Sequence, residues 1–250
     1  MYHYEGINMR NGTVNISGGE LNIDVTARDG ETVDNAGFYA ISAVNGRIDI
    51  SGGTVNINGN TDGWAILTDS EFDNNGPIDG TGSVLNISGG TININVPGRT
   101  YHGGILVTEI SEGYLSGGTI NDDYGVHRFF GDTNWDNTEL TGIATNVYTH
   151  GPGSFYMSGG KIDLVGDSYE ENGETIRNRA IFETNAGGSI YGGEIRLTNG
   201  TYINHMNVSV DGGKITITEG KYHQIKLMLD AVKNKIVYLE RITFGNIKLD

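Results

Sequence analysis

The chain has 250 residues, forty glycines, three prolines, no cysteine and a formal net charge of −15. That length bounds it to one or two domains, and the missing cysteines exclude disulfides and thiolate metal sites. So acidic a chain is expected to repel nucleic acid and anionic membrane surfaces, so neither is expected as a partner.

No apolar run approaches the length of a membrane span, so no membrane insertion is expected. The opening residues Met1-Tyr2-His3-Tyr4-Glu5 do not read as a signal peptide. Export would then depend on a segment outside this sequence, or on lysis.

The first recognisable element is Val14-Asn15-Ile16-Ser17-Gly18-Gly19-Glu20-Leu21-Asn22-Ile23. Its pattern returns at Gly52-Gly53, Gly89-Gly90, Gly117-Gly118, Gly159-Gly160, Gly192-Gly193 and Gly212-Gly213. Two residues before each pair stand Ile16, Ile50, Ile87, Leu115, Met157, Ile190 and Val210. Two residues after each stand Leu21, Val55, Ile92, Ile120, Ile162, Ile195 and Ile215. Alternation with a period of two on both sides of a fixed corner predicts two short strands with one buried face. Glycine suits the corner because such a bend needs positive φ and leaves no room for side chains.

Between corners lies a second pattern, seen in Phe38-Tyr39-Ala40-Ile41, Gly63-Trp64-Ala65-Ile66 and Gly103-Gly104-Ile105-Leu106. It predicts a third strand in each repeat. Hairpin sandwiches need no fixed register between distant segments, so the constant Gly-Gly register favours a stacked repeat. The expected fold is all-β: a right-handed parallel β-helix of about seven coils, three short strands to each, over residues 1–220.

From about Lys221 the pattern stops. Ile225, Met228, Leu229 and Val232 fall at helical spacing, and Lys235–Phe244 reads as strand. Residues 221–250 are therefore expected to form a C-terminal cap or junction, because the open end of stacked strands must be covered.

Acidic residues concentrate in the insertions, where stacking would align them. Hard carboxylate oxygens in clusters suit Ca²⁺. The candidate metal ligands are Asp62, Asp122, Asp123 and Asp132. The alternative for these residues is a solvated acidic surface. Aromatic rings beside Asn and Asp suit a sugar, the ring covering a pyranose face and the polar groups meeting its hydroxyls. Tyr101, Tyr124, Trp135 and Asn137 are the candidates, with Trp64, whose position suits core packing equally well. His127 and Arg128, beside Asp122 and Asp123, form the one local mixture of base, cation and acid, and are weak catalytic candidates.

At Ser51-Gly52-Gly53-Thr54-Val55-Asn56-Ile57 and Ser88-Gly89-Gly90-Thr91-Ile92-Asn93-Ile94 the chain resembles the clostridial carbohydrate-binding parallel β-helix proteins. The resemblance spans roughly residues 10–220 at the level of the repeat. It implies an extracellular protein that binds acidic polysaccharide with the help of calcium and without catalysis. Asp62-Gly63-Trp64 and Asp123-Tyr124-Gly125 approximate that family's turn, and the other repeats depart from it.

The expectation is thus a non-catalytic carbohydrate-binding protein, extracellular, cell-surface or virion-associated, whose partner is a polysaccharide or cell-surface glycan. One alternative is a structural segment of an adhesin or phage tail spike, forming a homo-oligomer or joining a larger assembly through its C-terminal segment. The other is a polysaccharide lyase.

Overall fold

A computed structural model describes residues 2–25, 36–59, 63–73, 76–77, 82–96, 104–108, 110–124, 143–148, 151–165, 168–171, 174–177, 181–184, 188–198, 202–204, 208–217, 243–244 and 247–248. Every regular element among them is a strand. In chain order these are β1 (Tyr2–Arg10), β2 (Thr13–Val25), β3 (Ala36–Val44), β4 (Arg47–Gly59), β5 (Gly63–Asp69), β6 (Phe72–Asp73), β7 (Gly76–Pro77), β8 (Val84–Val96), β9 (Ile105–Thr108), β10 (Glu112–Tyr124), β11 (Ile143–Tyr148) and β12 (Gly151–Pro152). They continue as β13 (Ser154–Met157), β14 (Lys161–Val165), β15 (Ser168–Glu171), β16 (Glu174–Arg177), β17 (Ile181–Thr184), β18 (Gly188–Ile190), β19 (Glu194–Thr198), β20 (Tyr202–Asn204), β21 (Val208–Val210), β22 (Lys214–Ile217), β23 (Thr243–Phe244) and β24 (Ile247–Lys248).

Two large sheets hold most of them. The first runs β1-β3-β5-β9-β11-β17-β20. The second runs β2-β4-β8-β10-β13-β18-β21, with β14, β19 and β22 continuing it beyond the Gly-Gly corner. Along both paths neighbours are parallel, and like stands beside like. In the first sheet Ile7 pairs with Ile41, Ile41 with Ile66, Ile66 with Ile105, and Ile105 with Ile143. In the second, Val55 pairs with Ile92, Ile92 with Ile120, Ile120 with Ile162, and Ile162 with Ile195. Each repeat therefore pairs with the one before it and the one after it. Ile41, Ile66, Ile105, Val55, Ile92, Ile120, Ile162 and Ile195 of these columns belong to one continuous core, in which Ile48, Ile50, Ile57, Leu85 and Ile87 are also buried.

The corner has a definite geometry. The second glycine of each pair is left-handed, from φ 74° at Gly19 to φ 91° at Gly193. The strand register shifts there, as at Ile50/Ser51/Thr54. The inserted residue changes the phase of the alternation, so that even-numbered Val14 and Ile16 and odd-numbered Ile23 and Val25 all face inward. This is the work of a β-bulge: the strand bends without ending. The first glycine is required by crowding. A Cβ on Gly52 would lie 2.6 Å from the Ser17 carbonyl oxygen of the preceding layer.

These findings correct the expected architecture. The right-handed parallel β-helix of about seven coils was to have three short strands per coil. Instead, in the first four repeats the two arms of the corner are one strand of 13 residues, in β2, β4, β8 and β10. The described strands gather into two large parallel sheets rather than three rows. The miscount arose because a Gly-Gly bulge and a Gly-Gly turn look alike in sequence. Residues 221–242, where the helical part of the C-terminal cap was expected, lie outside the described residues. Of the expected cap over 221–250, only the short antiparallel pair β23–β24 is described.

One column breaks its pattern. Phe155 occupies an inward position between Gly113 and Gly188 in the adjacent layers and is fully buried. A ring fits there because both neighbours lack side chains.

Candidate functional site

The outward face of the second sheet carries the most ordered polar array among the described residues. Asn22, Asn56, Asn93 and Asn121 share one register. Their side chains bond in series: Asn56 Nδ2 donates to Asn22 Oδ1 at 2.8 Å, Asn93 Nδ2 to Asn56 Oδ1 at 2.7 Å, and Asn121 Nδ2 to Asn93 Oδ1 at 2.8 Å. Strands about 4.8 Å apart place successive carboxamides at hydrogen-bonding distance. All three donors point the same way, toward the layer that comes earlier in the chain.

Past Asn121 the same register becomes ionic. Asp163 follows, bridged by Lys161 at 3.1 Å and Arg196 at 3.5 Å. Glu194 then lies 3.9 Å from Arg196 and 3.3 Å from Lys214. These groups are partly exposed at the surface, where such pairs contribute little to stability and mainly order the side chains.

On the other side of the corner, Tyr114 and Tyr156 are register partners whose rings stack with centroids 5.3 Å apart and 22° between planes. The Tyr114 hydroxyl donates to Glu112 Oε2 at 2.7 Å. That bond holds the phenol protonated and raises its pKa to about 12. In the same row Asp49 accepts from Arg47 Nε at 2.6 Å and from Asn86 Nδ2 at 3.1 Å. The Arg47 bond holds the Asp49 carboxyl below its usual range.

A buried polar corner joins the two sheets. Ser83 Oγ accepts from the Gly46 amide at 3.0 Å and lies 2.5 Å from the Asp69 carbonyl and 3.1 Å from that of Ala43, to either of which its hydroxyl can donate. The Ser83 amide in turn donates to Ser111 Oγ at 3.1 Å.

Of the sequence candidates, the structure describes the side chains of Trp64 and Asp122. Trp64 is 4% exposed and packs with Leu67, Leu106 and Tyr39, so its ring is a core element. Asp122 is 1% exposed and stands in an inward column between Ile94 and Leu164. Asp123 and Tyr124 end β10, and nothing further is described of their side chains. Asp62, Tyr101, His127, Arg128, Asp132, Trp135 and Asn137 lie outside the described residues. No group of three or more His, Cys, Asp or Glu that could hold a metal ion occurs among the described residues. The Tyr114–Tyr156 stack was missed. Its signal was present, since both tyrosines stand three residues before a Gly-Gly pair.

Comparison with known proteins points elsewhere than sugar. Over 36 residues the chain is 58% identical to an uncharacterized RNA pseudouridine synthase of Bacillus subtilis (strain 168), YtzG. The similarity covers 14% of this chain and 15% of that protein. No family model matches the chain, and no solved structure matches it.

The relative named as an RNA enzyme overturns the assignment to the clostridial carbohydrate-binding family, and with it the readings of polysaccharide binding, adhesin, tail spike and lyase. It also overturns the exclusion of nucleic acid, which rested on the charge of the whole chain. That average hides a division. Six of the sixteen Lys and Arg but only three of the thirty-one acids fall in residues 221–250, leaving +3 there against −18 in the rest. A local basic stretch can meet a phosphate backbone even when the chain as a whole is acidic.

Proposed function

We propose that the chain is an RNA-contacting protein in which the repeat body is a scaffold and a short appended segment meets RNA. The observation that carries this reading is the 36-residue stretch at 58% identity to a protein named as an RNA pseudouridine synthase. We place the shared stretch at the C-terminal end, over about residues 215–250. Two features support that placement: the Gly-Gly repeat stops, and only one of the forty glycines, Gly245, falls in the last thirty residues.

Thirty-six residues are too few to enclose a core and a cleft of their own. The reading is therefore of RNA contact, and uridine isomerisation would need chemistry from other residues. Lys221, Lys226, Lys233 and Lys235 supply the positive charge for phosphate contact.

The test is fluorescence anisotropy with a mixed-sequence single-stranded RNA across a salt series. Binding that weakens with salt is expected. Replacing the four lysines by Gln should flatten the slope of log K against log salt by about 3, from the release of about 0.7 counterion per neutralised phosphate. Absence of binding at low salt, or binding unchanged in the four-lysine variant, overturns the proposal. Nucleoside chromatography of the incubated transcript reads separately whether uridine is converted.

A further inference from the structure

We infer that the outward face of the second sheet around Tyr191 receives a base of the single-stranded RNA held by the C-terminal segment, stacked against tyrosine rings. This site rests on the RNA reading above and adds the part of the RNA that the repeat body takes. It is marked by a departure from the repeat. The residue just before the Gly-Gly pair is Ser17, Ser51, Ser88, Ser116 and Ser158 in the first five repeats, and Tyr191 in the sixth. All six are exposed. A corner built five times on serine does not need a ring. Nor does the core use this one: Tyr191 is 54% exposed, the one exposed large hydrophobic side chain among the described residues.

Other rings stand close by. Tyr156 is the register partner of Ser189, and the Tyr191 amide donates to the Met157 carbonyl at 2.7 Å. Tyr191 therefore lies one layer on from Tyr156 and two residues further along the strand, on the same outward face. Strands about 4.8 Å apart and a two-residue rise of about 6.6 Å set the two backbones about 8 Å apart. Tyr156 stacks on Tyr114 in the layer before it, and the layer after it offers only Ser189. A serine is too small to cover a ring. The surface above Ser189 is thus bounded by Tyr156 along its row and by Tyr191 at the corner. A nucleobase suits that place, because every base presents a flat π-face that stacks on tyrosine whatever its sequence.

The surrounding charge favours a base here and leaves the phosphates elsewhere. Beyond the corner Lys161, Arg196 and Lys214 pair with Asp163 and Glu194. Asp211, exposed in the layer after Tyr191, supplies a third carboxylate against these three cations. The patch is therefore neutral on a body that carries −18 over residues 1–220. It neither repels RNA locally nor gathers phosphates, so it offers stacking alone. The phosphates fall to the C-terminal lysines. Their segment starts nearby: its first residues lie in β22, where Ile215 and Thr216 pair with Ile195 and Arg196 of β19, the strand that follows Tyr191.

The test uses the full chain with a single-stranded RNA carrying 5-iodouridine. Irradiation should join the RNA to Tyr191 or Tyr156, located by mass spectrometry of the digested protein. Fluorescence anisotropy then compares variants. Tyr191→Ser installs the residue of the five earlier corners, so it should keep the far-UV spectrum and thermal midpoint of the parent. It should weaken RNA binding about tenfold, the contribution of one base–aromatic stack. Its slope of log K against log salt should stay that of the parent, since no phosphate contact is lost. Tyr191→Phe keeps the ring and should bind like the parent. The cross-link on the unaltered chain decides the matter if Tyr191→Ser does not fold. A parent chain that binds no RNA overturns the site together with the RNA reading. Three results overturn the site and leave that reading standing: a folded Tyr191→Ser chain that binds like the parent, a Tyr191→Phe chain weakened as much as Tyr191→Ser, or cross-links confined to residues 221–250.

Discussion

Gly113 and Phe155 are register partners in neighbouring layers, and a Cβ on Gly113 would lie 2.7 Å from Phe155 Cδ2. The same Cβ would come within 3.0 Å of Val107 Cγ2. The absence of one side chain is thus what admits the other. Phe155→Ala should lower stability by about 3–5 kcal/mol, the cost of a lost ring and the cavity it leaves. Gly113→Ala should cost about 1–3 kcal/mol through overpacking. Chemical denaturation of the double variant should show the two costs to be strongly non-additive, since the added methyl then enters the space the ring has left.

Ser83 gives a second stability test. In Ser83→Ala the Gly46 amide loses its acceptor inside the polar corner, and the Asp69 and Ala43 carbonyls lose a hydroxyl donor. A loss of about 1–3 kcal/mol is expected by urea titration. Ser83→Thr, which keeps the hydroxyl, should recover part of it.

The asparagine series predicts a directional effect. Asn93→Ala removes the acceptor of Asn121 and the donor to Asn56 in one step. Asn22→Ala removes only an acceptor. The first should cost about 1–2 kcal/mol and the second about half as much, both read as shifts of the denaturation midpoint.

Two titrations follow from the outer face. Tyr114 has its pKa raised to about 12 by its bond to Glu112. A phenol held protonated contributes stability that is whole below the unfolded tyrosine value near 10 and is lost as pH rises toward 12. Ultraviolet titration should show one tyrosine ionising late, and Glu112→Gln should bring it back toward 10. Asp49 is shifted the other way by Arg47. Its contribution is present above the unfolded carboxylate value near 4 and is lost as pH falls below it. Arg47→Gln should raise the Asp49 pKa, seen by NMR, with a stability change under about 1 kcal/mol because the pair is solvated.

Much of the register was legible in the sequence. The columns aligned on Gly-Gly, such as Ile16 with Ile50 and Ile87 with Leu115, recur as register partners. What failed was the count of strands, because a bulge that bends a strand and a turn that ends one use the same glycines. Asp122 was read as a ligand because it stands in a cluster of carboxylates with Asp123. Its register between Ile94 and Leu164 was a warning already available. Trp64 was harder, since an aromatic beside a loop is ambiguous until the second cluster of Leu67 and Leu106 is seen. The change of composition at Lys221 was legible as well. Net charge alone hid that the chain divides in sign, +3 in residues 221–250 against −18 in the rest.

The layer-on-layer pairing also sets how damage spreads. A strand in this molecule touches the layer before it and the layer after it, so a lesion has only two ways to travel. Local melting should begin at exposed edges and advance one layer at a time, with hydrogen exchange graded along the stack instead of uniform. The Gly113–Phe155 seam, where a single ring replaces the regular aliphatic column, is where such an advance would meet its largest step.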